Sequence, residues 1–393
     1  MAVTVGGAPA LPGDLELTRF PQDPQEQLRA WDAADEYLLR HLGEGAAPTG
    51  RVVVFGDRWG AITTSLAAAG AQVTQISDSF LGQRATAENL ARNGKSRSDV
   101  TLATTVENVE NVAAAIDVLL VRVPKSLALL EDQLARLQPF VGAGTRIVAA
   151  GMVTEIHTST LQAFERILGP TRTSLAVRKA RLIFCEPDVE MARPENPWPL
   201  TYRLPEGIGV ASGHPVVNHA GTFSADHLDI GTRFFLPHLP SLATGSGAGR
   251  IVDLGCGNGV VGLAAALANP SAALAFVDES HQAVASARAT FEATFAPGTR
   301  EAEFRAADGM AGFEPGSVDL VLNNPPFHSH QATTDATAWR MFTGARTALR
   351  RDGELWVVGN RHLGYHAKLK RLFGNCDVMA SNPKFVVLRA VRR

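Results

Sequence analysis

The tetrapeptide Asn324-Pro325-Pro326-Phe327 combines two hydrogen-bond acceptors with an aromatic ring, directly after the predicted buried strand 319–323. The Asn324 side-chain oxygen and the Pro325 carbonyl can accept both hydrogens of a planar amino group and direct its delocalised lone pair at an electrophile. The two prolines fix the backbone that carries this carbonyl, and Phe327 can stack on an extruded base. The motif predicts catalysis on an exocyclic amino group by positioning and electrostatics.

The segment 250–262 has the order of a strand, a glycine loop and the start of a helix. Glycines at 255, 257 and 259 allow a tight turn and a close approach of the backbone to a ligand. The helix that follows, beginning near Gly259, offers amide donors to a carboxylate or phosphate. We therefore expect a nucleotide-type cofactor at this loop.

Two cofactors fit parts of this loop. The stretch 257–262 matches G-x-G-x-x-G, and Asp278 follows Gly259 by 19 residues, a spacing typical of nicotinamide dinucleotide sites. Asp253, however, precedes the first glycine by two residues, where a dinucleotide strand is normally apolar. A carboxylate there suits the amino group of S-adenosylmethionine, which is the predicted cofactor. Asp308 could accept from an adenine amino group or could equally be a helix cap or turn residue.

The elements that must position these residues occur twice. Short apolar strands alternate with Ala- and Leu-rich helical stretches in both halves, which predicts parallel sheets with crossover helices. Three blocks recur in the same order at offsets of 199 to 202 residues: Arg51–Gly60 with Arg250–Gly259, Ile76–Asp78 with Phe276–Asp278, and Asp117–Pro124 with Asp319–Pro326. We interpret this as a duplicated unit. The predicted fold is α/β, with two tandem Rossmann-like methyltransferase domains whose mainly parallel sheets are doubly wound, at 1–200 and 201–393.

The two copies differ at the positions that carry chemistry. Three residues of the second copy have changed counterparts in the first: Asp253 corresponds to Val54, Gly257 to Arg58, and Asn324 to Arg122. The first domain is therefore predicted to be degenerate, keeping the fold while losing the site. Its expected role is structural or RNA-binding, and we expect one cofactor per chain.

Composition restricts the class of protein. The formal net charge of −2 over 393 residues gives no general attraction for nucleic acid, so RNA affinity would depend on local basic patches. No apolar run is long enough to span a bilayer, and the N-terminus lacks a secretory pattern. Three scattered cysteines suit neither a disulfide framework nor a zinc site. A cytoplasmic monomer without a metal or a membrane partner is predicted.

At these residues the chain resembles a known family. Asp253–Gly259 together with Asn324–His328 is similar to the bacterial ribosomal RNA guanine-N2 methyltransferases, which pair a degenerate N-terminal domain with an active C-terminal one. The likeness extends to four further segments: Phe223–Gly231, Asn360–Leu363, Phe373–Cys376 and Lys384–Leu388.

Other segments resemble the members that act on the large-subunit (23S) RNA: Leu17–Pro21, Ala30–Tyr37, Val123–Leu130, Ile156–Leu161 and Val277–Ser280. The resemblance implies methyl transfer from S-adenosylmethionine to the 2-amino group of one guanine in 23S ribosomal RNA. From the residues alone, only a planar amino group is indicated.

The predicted site residues combine the motifs with this resemblance. The catalytic residues are Asn324, Pro325, Pro326 and Phe327. The expected cofactor-binding residues are Phe223, Asp229, Asp253, Gly255, Cys256, Gly257, Asn258, Gly259, Asp278, Glu279, Ala307, Asp308 and Asn323. The expected substrate contacts are His328, Arg361, Arg122 and Lys125, with the basic residues as candidate phosphate ligands. Such charges are also common on solvated helix faces.

Two other functions remain open on the residues alone. The same Asn-Pro-Pro chemistry could methylate the side-chain amide of a glutamine on a protein. A non-catalytic RNA-binding assembly factor with a relic pocket is the second alternative. The retained Asp253 and Asn324 favour an enzyme, and the second, full-length domain favours a large RNA substrate.

Overall fold

The computed structural model describes residues 9–22, 26–45, 48–96, 98–107, 109, 115–193, 195–240, 249–326 and 331–393. The chain divides into two compact units, Met1–Pro197 and Trp198–Arg393. Among the described residues, no helix is both long and apolar enough to cross a membrane.

The first unit contains seven strands and five helices within the described residues. The strands are β1 (Arg51–Phe55), β2 (Gln72–Ser77), β3 (Val100–Thr104), β4 (Ile116–Arg122), β5 (Val141–Met152), β6 (Thr171–Thr173) and β7 (Ala180–Cys185). The helices are α1 (Ala33–Glu44), α2 (Ala61–Ala68), α3 (Phe80–Arg92), α4 (Leu127–Leu137) and α5 (Thr158–Ile167).

The second unit repeats this set after a short hairpin formed by β8 (Leu200–Arg203) and β9 (Pro215–Asn218). Its helices are α6 (Ile230–Phe235), α7 (Val260–Ala268), α8 (His281–Glu292), α9 (Gln331–Ala348) and α10 (Tyr365–Phe373). Its other strands are β10 (Arg250–Leu254), β11 (Ala273–Asp278), β12 (Ala302–Ala306), β13 (Val318–Asn323), β14 (Leu349–Asn360), β15 (Asp377–Ser381) and β16 (Phe385–Val391).

The two large sheets have the same strand order. It is β3-β2-β1-β4-β5-β7-β6 in the first unit and β12-β11-β10-β13-β14-β16-β15 in the second. Neighbours pair in parallel up to β5 and β14, and the last two strands of each sheet pair antiparallel. The predicted fold class, with tandem and mainly parallel Rossmann-like sheets, is confirmed.

Each sheet is covered on both faces, which explains its continuous apolar strands. In β4, Leu119 and Val121 join the core on one face, whereas Val118 and Leu120 join the core on the other. In β13, Val321 joins the core on one face of the sheet, and Leu322 joins the core on the other. The polar residues of these central strands are therefore confined to the strand ends, where the candidate site lies.

Glycine is retained at one loop position of both copies for a packing reason. Gly60 and Gly259 both precede the helix after the first strand, at φ +80°. A Cβ on Gly60 would stand 2.6 Å from the Cα of Thr86, and one on Gly259 would stand 2.8 Å from the Cα of Ala287. Since the next helix passes this close in both units, this glycine is needed whether or not a ligand binds.

Candidate cofactor and substrate site

The glycine loop lies at the carboxyl end of β10. Gly255, Gly257 and Gly259 have φ of +71°, +51° and +80°, and α7 begins at Val260. A Cβ on Gly257 would meet nothing within 4 Å, so the backbone is open to a ligand there. The predicted succession of strand, glycine loop and helix is confirmed. Cys256 is buried in the loop, and its burial raises the pKa of the thiol.

Asp253 is buried beneath this loop, with only 2% of its surface exposed. One carboxylate oxygen accepts from the Gly262 amide at 2.7 Å, in the first turn of α7. Burial and the neighbouring charge of Asp278 together raise the pKa of Asp253 to about 8, although the hydrogen bond from the Gly262 amide lowers it. A positive group near the loop would oppose both effects. The contact with the helix start was not predicted from the sequence.

Asp278 connects the second strand to the loop. Its two carboxylate oxygens accept from the Gly257 amide at 3.0 Å and from the Ser280 amide at 3.1 Å. The Asn258 side chain donates to the side-chain oxygen of Asn218 at 3.0 Å. Two predicted polar residues of this region are thus held by neighbouring elements. Glu279, by contrast, is exposed to solvent.

The predicted catalytic segment lies beside the same loop. Asn323, at the end of β13, donates from its side chain to the Leu254 carbonyl at 2.6 Å, which ties the two strand ends together. The Asn324 carbonyl oxygen lies 4.0 Å from the position that a Cβ on Gly255 would take. Pro325 is buried. Pro326 is exposed. Phe327 and His328 lie outside the described residues.

The side-chain amide of Asn324 has a defined orientation. Its nitrogen donates to the Thr232 hydroxyl at 3.0 Å and lies 3.4 Å from a carboxylate oxygen of Asp229. Its oxygen is buried and has no hydrogen-bond partner among the described residues. The acceptor half of the amide is therefore available to an external donor, as the predicted chemistry requires.

Thr232 was not predicted from the sequence. Asp229 is the N-cap of α6 and accepts from the Thr232 amide at 2.7 Å. An acidic residue followed three positions later by a small polar one is a recognisable helix start. That pattern could have placed Thr232 next to Asp229, although not next to Asn324.

The remaining predicted cofactor contacts lie around the strand ends. The Ala307 amide, just after β12, donates to the Asp278 carbonyl at 2.9 Å. The carboxylate of Asp308 lies 3.7 Å from the guanidinium of Arg340 in α9, and both side chains are partly exposed. Phe223 is half exposed. Asp308, two residues after the end of β12, is thus partly exposed and contacts α9.

The prediction that Arg122 contacts RNA is wrong. Its side chain is fully buried, with 0% exposed, at the end of β4. It pairs with three carboxylates, those of Asp32 at 2.6 Å, Asp35 at 3.1 Å and Glu155 at 2.9 Å. Burial lowers the pKa of Arg122, but the three carboxylates raise it more. The net pKa is above its usual value. A guanidinium held inside the protein in this way cannot reach a phosphate.

The other two described basic residues are accessible. Lys125, just after β4, is exposed. Arg361, just after β14, is exposed as well, and its guanidinium makes a 3.4 Å hydrogen bond to the Asn382 carbonyl. Both remain available to a partner.

Comparison with known proteins agrees with this two-part architecture. Residues 10–189 match the family model described as the RLMG N-terminal domain, and residues 213–389 match the methyltransferase small domain. A 16S rRNA N2 methyltransferase from T. thermophilus, solved with AdoMet and guanosine, superposes with a TM-score of 0.72. That comparison covers 98% of this chain and 100% of the other, at 20% sequence identity, and shows the shared fold.

Curated relatives match over nearly the whole chain. The ribosomal RNA large subunit methyltransferase G of Streptomyces avermitilis is 66% identical, covering 97% of this chain and 98% of the relative. The protein of the same name from Pseudomonas aeruginosa is 51% identical, covering 96% and 97%. Together with the two matched domains, these identities establish that the chain belongs to the ribosomal RNA large subunit methyltransferase G family.

Proposed function

We propose that this protein transfers a methyl group from S-adenosylmethionine to the 2-amino group of a guanine in 23S ribosomal RNA. Family membership supports a ribosomal RNA substrate. The observation that carries the amino-group chemistry is the Asn324 side-chain oxygen, which is buried and has no hydrogen-bond partner in the described part of the chain.

The residues around the loop fit the cofactor. Open space above Gly257 would admit a ligand against the backbone. The buried carboxylate of Asp253, with its pKa raised to about 8, favours a nearby cation such as the cofactor's amino group. Asp278 and Asp308 are proposed to face the ribose and the adenine. When bound, S-adenosylmethionine supplies an electrophilic methyl group on a positively charged sulfur.

The substrate side is proposed to work by positioning. The Asn324 oxygen and the Pro325 carbonyl accept the two hydrogens of the guanine amino group, and this fixes the direction of its lone pair. The nitrogen would bond to the methyl carbon as the bond from that carbon to the sulfur breaks, and the electron pair would stay on the sulfur as a neutral thioether. The nitrogen becomes cationic in this step, and both acceptors then bind its hydrogens more strongly. The nitrogen afterwards loses one proton to solvent. Phe327 is proposed to stack on the base, with His328 at the rim.

RNA binding is proposed to involve both units. The exposed Lys125 and Arg361 are candidate phosphate contacts, one in each unit. The first unit is assigned a structural and RNA-binding role, since the residues corresponding to the cofactor site are replaced. The second unit is assigned the catalytic role.

The function is tested by mapping N2-methylguanine in 23S RNA from cells with and without this gene. We expect one modification to disappear on deletion and to return with the wild-type gene, but not with Asn324→Ala. Purified protein should restore the same methyl group on RNA from deleted cells when S-adenosylmethionine is added. Unchanged guanine methylation, or methyl transfer to glutamine instead, would reject the proposal.

A further inference from the structure

We infer that Asp229 and Thr232 are positioning residues, which hold the Asn324 amide so that its oxygen, and not its nitrogen, faces the substrate. This inference rests on the proposed function and deepens it. The sequence had suggested Asp229 only as a cofactor contact, and Thr232 had no assigned role.

The chemistry of the two partners determines the orientation. Asp229, when ionised, can only accept hydrogen bonds, and it lies 3.4 Å from the amide nitrogen of Asn324. The Thr232 hydroxyl, 3.0 Å from the same nitrogen, supplies a second acceptor. A reversed amide would place its oxygen against the Asp229 carboxylate, which is electrostatically unfavourable. Asp229 therefore selects one of the two amide orientations, and the Thr232 hydroxyl supports that orientation as a second acceptor.

The pair is itself held in place. Thr232 is the third residue of α6, and its backbone amide donates to Asp229 at 2.7 Å. Both side chains thus belong to one helix start, and Thr232 is buried. Two contacts of Asn324 are in this way fixed to a single rigid element. A catalytic group locked by supporting contacts loses less orientation during reaction.

The selected orientation of the Asn324 amide is energetically unfavourable unless a further donor is present. It leaves the Asn324 oxygen buried without a partner among the described residues. Buried acceptors are normally paired, because leaving one unsatisfied is unfavourable. Without the two contacts, rotation of the amide would be easier. The arrangement keeps an acceptor ready for a donor that arrives with the substrate.

The first unit supports this inference independently. There α1 begins with Asp32 at the N-cap and Asp35 at the third helical position, which correspond to Asp229 and Thr232. Both contact the side chain at the end of β4, which is Arg122 in place of Asn324. The same two helix positions thus hold the same strand-end position in both units. Where an arginine replaces the asparagine, the third helical position has become an acid.

The test compares three threonine variants of the full-length protein. Thr232→Val removes the acceptor, and Thr232→Ser keeps it. Thr290→Val removes another buried hydroxyl, which among the described residues bonds to the backbone of Val217 alone. We expect Thr232→Val to lower kcat on RNA about ten-fold, as for the loss of one ordinary hydrogen bond. Cofactor affinity and the KM for RNA should stay within about two-fold. Thr232→Ser should restore most of kcat, and Thr290→Val should leave it unchanged.

A second measurement separates positioning from a merely structural role. Guanosine and inosine differ by the 2-amino group, so the ratio of their inhibition constants reports which half of the Asn324 amide faces the site. The preference of the wild type for guanosine should fall in Thr232→Val and also in Asp229→Asn. Asparagine caps helices as well as aspartate does, so Asp229→Asn should still fold.

The outcomes distinguish the two claims. If the wild type does not methylate guanine at N2, the proposed function fails whatever the variants do. If it does, but Thr232→Val keeps both its kcat and its guanosine preference, the positioning inference is overturned. An equal loss in Thr290→Val would overturn it as well, because that hydroxyl is not in contact with Asn324.

Discussion

In both units an aspartate accepts a hydrogen bond at the start of the helix that follows the first strand of the large sheet, but the aspartate lies at a different position in each unit. In the second unit, Asp253 at the strand end accepts from the Gly262 amide at the start of α7. In the first unit, Val54 takes that strand position, and Asp57 in the loop accepts instead from the corresponding Thr63 amide at 2.8 Å. In both units a carboxyl group of an aspartate thus accepts a hydrogen bond from an amide at the helix start. Only the second unit keeps it below the loop and leaves the loop open.

The fourth strand shows the same contrast. Arg122 ends β4 in a network of three carboxylates, and Arg58 pairs with two of them, Asp32 and Glu155. The side-chain oxygen of Asn324, just after β13, instead has no hydrogen-bond partner within the ranges that the structure describes. The first unit has therefore not only lost residues of the candidate site but has replaced them with charged ones. The first unit has paired charges at the positions where the second has the open Gly257 and the side chain of Asn324.

Arg122→Ala tests this contrast with the largest expected effect. Removing one partner of a buried charge network leaves the others uncompensated, so the free energy of unfolding should fall by about 3–5 kcal/mol. Chemical denaturation measures the change. The exposed Arg178, paired only with Glu36 among the described residues, is the matched control. Arg178→Ala should cost less than about 1 kcal/mol. Similar losses for the two variants would contradict the network.

Asn324→Ala should act on rate and not on folding. Loss of an acceptor used in the transition state lowers kcat by about 100- to 1000-fold, by analogy with other positioned hydrogen-bonding groups. Cofactor affinity, measured by calorimetry, should stay within about two-fold, because Asn324 faces the substrate in the proposed mechanism. Weakened cofactor binding at an unchanged rate would reverse the assignment.

Gly257→Arg places the first unit's residue in the second. An arginine at φ +51° is strained, and its side chain would occupy the space now open above the loop. We expect cofactor affinity to fall by about ten-fold or more, whereas the wild type should bind one cofactor per chain. Gly298→Arg is the control, since Gly298 also has positive φ and open space around it. Gly298 precedes β12 and so lies at the amino end of its strand, whereas Gly257 follows the carboxyl end of β10. Two equivalent sites in the wild type would contradict the comparison.

Glu155 in the first unit and Asp253 in the second should contribute to the pH dependence of stability with opposite signs. Burial raises the pKa of Glu155, but Arg122 and Arg58 lower it more, to about 2. Its stabilising contribution is present above the unfolded value near 4.5 and is lost as the pH falls towards 2. Asp253, with its pKa raised to about 8, is most compatible with folding below pH 3.8 and increasingly unfavourable as the pH rises towards 8.

Each of these two groups changes the free energy of unfolding by at most about 1.4 kcal/mol per pH unit, the limit for a single proton. Denaturation of Glu155→Gln and Asp253→Asn across pH 2–8 checks them. The first variant should flatten the acid limb, and the second should flatten the decline above pH 4. If the stability of both variants depends on pH as that of the wild type does, neither Glu155 nor Asp253 makes the predicted contribution.

Local pattern was enough to predict the fold, because repeated apolar strands and glycine loops are visible within short windows. The positions of Gly257 and Asn324 followed from the same windows. The fate of Arg122 did not, since its partners Asp32 and Asp35 are 90 and 87 residues away. A basic residue after a strand looks the same in sequence whether it points to solvent or into a carboxylate cluster.

Thr232 was missed for a related reason. Its contact with Asn324 joins residues 92 positions apart, and no local pattern reports it. The Asp253 contact with Gly262 spans only nine residues. The sequence interpretation assigned this carboxylate to the cofactor. It did not consider the backbone amides at the start of the helix that follows the glycine loop.

The identical strand order of the two sheets has a consequence for biosynthesis. Tandem copies of one topology can exchange equivalent strands while the chain emerges, a known route to misassembly. If β4 entered the second sheet, Arg122 would take the place of Asn324, whose side chain contacts one acid, Asp229, among the described residues, and it would lose its present three carboxylates. If β13 entered the first sheet, Asp32, Asp35 and Glu155 would lose the guanidinium of Arg122. Uncompensated buried charge penalises both exchanges, so divergence at the strand ends also directs each strand to its own sheet.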